Sequence, residues 1–147
     1  MASDSASADA TPLETGMPKH VLLVEDDAIL AMSITHTLTD AGVAEVQHCV
    51  STQEALVALR EATPDVVIVD VHLSDRDDGW AVAELVSEMV PNPPRIIFST
   101  GSPDDIPERI AQMGPVLEKP YDGNDLLDII REPKRRGVIW RLTHGMR

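Results

Sequence analysis

Val66-Val67-Ile68-Val69-Asp70 is a run of four branched aliphatic residues closed by a carboxylate. A short stretch that is apolar at every position suits a strand covered on both faces, which is the habit of parallel sheets. Comparable runs lie at His20 to Val24, Ala44 to Cys49, Arg95 to Ser99 and Val116 to Leu117. Helix-length amphipathic stretches separate them. These are Asp27 to Ala41, stopped by Gly42; Thr52 to Glu61, stopped by Pro64; Trp80 to Val90, stopped by Pro91; a weaker one over Asp104 to Gln112; and Asn124 to Arg131, ended by Pro133. The alternation predicts an α/β fold of the (βα)5 type, a doubly wound five-stranded parallel sheet with right-handed crossovers. In such a sheet the loops at the carboxyl ends of the strands form a crevice, and chemistry belongs there.

Four strands bring candidate groups to that edge. The first ends in Glu25-Asp26-Asp27, the third in Asp70, the fourth in Ser99-Thr100-Gly101 and the fifth in Glu118-Lys119-Pro120. Glu25, Asp26 and Asp70 would repel one another unless neutralised, and a hard divalent cation with oxygen ligands, Mg²⁺ best of all, is a natural partner. Asp70, held by the rigid run before it, is placed as a nucleophile needs. Lys119 and Thr100 supply a point charge and a hydroxyl for the oxygens of a transferred phosphoryl group. One acid after a strand is most often a solvated loop residue or a helix N-cap. The whole set in this strand order is specific, and it reads as phosphoryl transfer to an aspartate.

The 147 residues, 43% of them hydrophobic, bound the chain to one domain plus tails. Residues 1–18 are small, polar and aperiodic, the composition of a flexible arm; residues 19–132 are the folded domain; residues 133–147 are a basic tail. No apolar stretch approaches the roughly 18 residues that span a bilayer, and no secretory signal pattern is present, so a soluble, cytoplasmic protein is expected. The net charge of −13 is uneven: the central domain carries 22 acids against 7 bases, the tail five bases and no acid. An acidic body repels phosphate backbones, which argues against direct DNA binding. The tail (PKRRGVIWRLTHGMR) could lie on a partner, fold back on the domain, touch anionic lipid, or simply fray. Cys49 is expected as a small core hydrophobe, His20, His36, His48 and His144 show no ligand spacing, Trp80 is expected to pack, and the acidic loop Asp75 to Gly79 lacks the EF-hand pattern.

With these residues in place the chain resembles a response-regulator receiver domain of two-component signalling, over roughly Lys19 to Arg131. The resemblance implies a flavodoxin-like fold and a phosphoprotein that carries an aspartyl phosphate on Asp70. It also implies Mg²⁺ held by Glu25, Asp26, Asp70 and the backbone carbonyl of His72, with Thr100 as switch hydroxyl and Lys119 as the lysine before a cis-linked Pro120. Gly101, after Thr100, permits backbone angles closed to other residues. Phe98-Ser99-Thr100-Gly101 with Lys119-Pro120-Tyr121 is similar to a subgroup with a Phe-Ala-Thr-Gly motif, many of whose members answer to HWE or related histidine kinases. The aromatic that members often carry three residues before the lysine is Val116 here, so the usual aromatic switch is absent.

The implied role is a stand-alone receiver that takes its phosphoryl group from a sensor histidine kinase and signals through protein contacts, with the downstream partner open. It is a signalling phosphoacceptor rather than an enzyme in the ordinary sense. A phosphate sink or shuttle, and a binding module that works without phosphate, remain alternatives. A haloacid-dehalogenase-like phosphatase is disfavoured because it wants a second aspartate where His72 stands.

Overall fold

The computed structural model of the chain describes residues 16–72, 80–89 and 93–132. The basic tail, most of the N-terminal arm, the acidic loop Asp75 to Gly79 and the Pro91 stop lie outside these residues. The strands are β1 (His20–Val24), β2 (Glu45–Cys49), β3 (Val66–Asp70), β4 (Arg95–Thr100) and β5 (Val116–Glu118). The helices are α1 (Ala28–Asp40), α2 (Thr52–Glu61), α3 (Trp80–Met89), α4 (Glu108–Ala111) and α5 (Gly123–Arg131). All strand pairings are parallel, in the order β2-β1-β3-β4-β5. This is the expected doubly wound sheet, with the strand order of the flavodoxin-like family.

Alternation along the strands splits the core into two layers. Leu22, Val24, Val67, Val69, Ile96 and Phe98 pack with buried residues of α2, α3 and α4 on one face. Val21, Leu23, Val66, Ile68, Ile97 and Leu117 pack with α1 and α5 on the other. Successive side chains of a strand point to opposite faces, so a continuous apolar run serves both layers at once. Met17, expected in the arm from its composition, is 3% exposed and belongs to the α1/α5 layer, so the packed body begins before Lys19.

Local chemistry sets the helix ends. Asp27 is the N-cap of α1, its carboxylate accepting from the N–H groups of Ile29 and Leu30. Asp122 and Asp125 form a capping box at α5. Gly42, just past α1, has φ 112°, a backbone region that favours glycine. The weak fourth helix is interrupted, as the proline inside it predicts: Asp104 to Gln112 is divided between a 3₁₀ turn over Pro103–Asp105 and a separate short α4 over Glu108–Ala111. Pro107 explains the break, since it lacks an N–H and pushes the preceding Ile106 into extended backbone (φ −81°, ψ 123°).

A carboxylate and lysine cluster at the carboxyl edge of the sheet

Strand parity gathers the site. Glu25 continues the Val21, Leu23 series, Asp70 the Val66, Ile68 series and Lys119 the Leu117 position, so all three stand at the edge of the α1/α5 layer. Asp26 turns in beside them, and oxygens of Glu25, Asp26 and Asp70 lie within 4.8 Å of one another. Glu25 is 1% exposed and Asp70 6%, while Asp26 is half-buried. The Lys119 ammonium bridges the two buried acids, donating to Glu25 Oε1 at 2.9 Å and Asp70 Oδ2 at 3.0 Å. The crowding inferred from sequence is thus relieved in part by the lysine.

Each carboxylate is also held by backbone. Glu25 Oε2 accepts from the Asp27 N–H at 3.1 Å, and Asp70 Oδ1 from the His72 N–H at 2.9 Å. Burial raises the Glu25 pKa above its ordinary value, opposed by the Lys119 hydrogen bond, the Asp27 N–H and the lysine charge. Burial alone would push Lys119 down, but its bonds to Glu25 and Asp70 and their charges outweigh it and raise its pKa. The lysine is therefore a fixed cation at neutral pH. The three carboxylates are hard oxygen donors at short mutual distance, a donor set that fits a small divalent cation.

The remaining expected residues are placed as follows. Thr100 is fully buried and one residue past Ser99, the β4 position paired with Asp70. Its strand parity is opposite to that of Asp70, and its hydroxyl accepts from the Ser102 N–H at 3.0 Å. The Lys119-Pro120 bond is cis. Val116 is buried in the α2/α3/α4 layer. Gly101 does not use positive φ, which among the described glycines is found at Gly16 and Gly42, and a Cβ at Gly101 would meet nothing within 4 Å.

Three contacts escaped the sequence. His48 on β2 lies 2.7 Å through Nε2 from the Glu25 carbonyl; a carbonyl can only accept, so Nε2 carries the proton. His72 Nε2 lies 3.2 Å from Asp105 Oδ2, linking the end of β3 to the 3₁₀ turn. Ser99 Oγ lies 3.1 Å from the Tyr121 hydroxyl. Beside the cluster an open groove runs between α1 and the segment after β5, lined in part by Ile29, Leu30, Ser33 and Tyr121.

Comparison with known proteins agrees with this arrangement. Residues 21–131 match the family described as response regulator receiver domain. The transcriptional regulatory protein PdtaR of Mycobacterium tuberculosis is 30% identical over 122 residues, covering 82% of this chain; the chain spans only 58% of that relative's length. A response regulator receiver protein from Sinorhizobium medicae superposes with a TM-score of 0.63 at 30% identity, covering 76% of this chain and 90% of that one. A CheY-like receiver domain from Methylobacillus flagellatus gives a TM-score of 0.69 at 23% identity, covering 77% and 96% respectively, and so supports the fold alone. The fold, the carboxyl-edge cluster and the match over nearly the whole packed body lead to one conclusion, that this chain belongs to the response regulator receiver domain family.

Proposed function

We propose that the chain acts as a receiver in which Asp70 accepts a phosphoryl group from the phosphohistidine of a sensor histidine kinase, in a Mg²⁺-dependent reaction, and signals through protein contacts. The observation that carries this reading is the Lys119 ammonium held between the carboxylates of Glu25 and Asp70. An Asp70 oxygen attacks phosphorus, the P–N bond breaks, and the imidazole leaves with the electron pair and takes up a proton. The developing charge on the phosphoryl oxygens falls next to Lys119, whose donors can turn from Asp70 Oδ2 toward them. The His72 N–H keeps the Asp70 carboxylate aimed. Glu25, Asp26, Asp70 and the His72 carbonyl would hold Mg²⁺, which when bound supplies positive charge to the transferred group. Thr100 then serves as the switch hydroxyl, exchanging its bond from Ser102 for one to the phosphoryl oxygen.

The surroundings support protein partners. Ile29 is 81% and Met32 64% exposed on α1, an apolar face next to the crevice that suits a docking phosphodonor protein. An overall charge of −13 supports partners other than DNA. Among the described residues no helix is long and apolar enough to cross a membrane; the same reading assigns the chain to the cytoplasm and its kinase to the HWE or a related type. The test is labelling with acetyl phosphate and Mg²⁺. The wild-type chain should form an acyl phosphate and Asp70→Asn should not; equal labelling of the two rejects Asp70 as acceptor.

A further inference from the structure

β5 ends at Glu118, and the chain there turns off the sheet. Two ties fasten this exit to β4. The Lys119 N–H donates to the Thr100 carbonyl at 2.7 Å, and two residues later the Tyr121 hydroxyl meets Ser99 Oγ at 3.1 Å. Ser99 is no ordinary loop serine. It is 1% exposed, on the same face of β4 as Ile97, and its register partners are Asp70 on β3 and Leu117 on β5. The phenol therefore anchors the segment carrying Lys119 to the strand position flanking Asp70. Either hydroxyl can donate, and Tyr121 gives the buried Ser99 hydroxyl the partner it requires. Burial raises the phenol pKa above its ordinary value, so Tyr121 keeps its proton at neutral pH.

We infer that Tyr121, through Ser99, is a positioning residue for Lys119: the hydroxyl pair fixes the exit of β5 so that the ammonium lies between Glu25 and Asp70. The inference rests on the reading of Asp70 as acceptor. Its consequence is that a tyrosine outside the charged cluster sets how well the lysine meets the developing charge, since misplacement of such a group costs rate steeply.

The test uses the full chain with Tyr121→Phe, Ser99→Ala and the double variant. Tyr121→Phe leaves the buried Ser99 hydroxyl without this partner and so lowers the melting temperature; the double change removes both groups and restores it. Positioning is not restored. The initial rate of labelling by acetyl phosphate at saturating Mg²⁺ should stay down about ten-fold in all three variants, and the NMR signal of the Lys119 ammonium should move in all three. Labelling that recovers together with stability in the double variant, or a Lys119 signal unmoved in both single variants, overturns the inference. If the wild-type chain is not labelled at all, the acceptor reading fails, and the positioning role is then decided by the Lys119 signal alone.

Discussion

Lys119 has two tasks, and pH separates them. In the proposed transfer it stands beside the developing charge, and it also neutralises a carboxylate that is 1% exposed. Lys119→Met leaves Glu25 buried without its cation, a change that costs about 3 kcal/mol at neutral pH. The Glu25 pKa, already raised by burial, climbs further once the lysine no longer opposes it. A carboxyl that binds its proton more tightly in the folded state favours folding at low pH and loses that contribution as pH rises from its ordinary value through the folded one. The deficit of the variant relative to wild type should therefore be small in mild acid and grow toward neutral pH. In the wild type, the raised Lys119 pKa gives a contribution that is complete below the ordinary lysine value and is lost only in alkali as pH passes the folded one. Denaturant unfolding of both proteins across pH checks this, and a deficit independent of pH would show that Glu25 does not depend on Lys119.

The least secure element is the one the sequence marked as weakest. The stretch from Thr100 to Met113 holds a 3₁₀ turn and a four-residue helix, with Ile106 and Ile110 as its buried anchors and an Arg109–Glu84 ion pair to α3. Its amides should exchange with solvent by local opening well before those of β3, and beryllofluoride should raise their protection if Thr100 is drawn toward the acceptor; unchanged exchange there would reject this route. The stretch is closed by Gly114, where a Cβ would run into the Ile96 carbonyl oxygen, so Gly114→Ala should destabilise the domain by about 3 kcal/mol. A lower urea midpoint at unchanged slope is the measurement. The inner strands β1, β3 and β4 were legible because each is a short apolar run buried almost throughout, whereas the edge strand β2 is mostly polar and only Cys49 in it is buried. The break at Pro107 was legible too, because a proline inside the Asp104 to Gln112 pattern interrupts a helix; that the part before it closes as a 3₁₀ turn was not.

For the whole molecule, legibility stops where contacts depend on register. Glu25, Asp26, Asp70 and Lys119 could be gathered in advance because strand ends in a doubly wound sheet share one edge. The His48 contact with the Glu25 carbonyl depends on β1 and β2 pairing Val24 with Cys49, and the Ser99–Tyr121 pair on the path of the chain after β5; neither has a local signal. The gathered acids carry a consequence for global stability that does not require phosphorylation. A cation that binds only the folded state stabilises it by mass action, by about 2.7 kcal/mol at a hundred times the dissociation constant. For a domain of this size that is an upward shift in melting temperature of roughly 5–10 °C. Wild-type chain in Mg²⁺ should show the shift relative to EDTA. Asp26→Asn removes one anionic ligand while leaving the Lys119 bridge between Glu25 and Asp70, so the variant should fold without the ion and lose most of the shift. An Asp26→Asn protein that keeps the full Mg²⁺ shift would remove this cluster as the metal site.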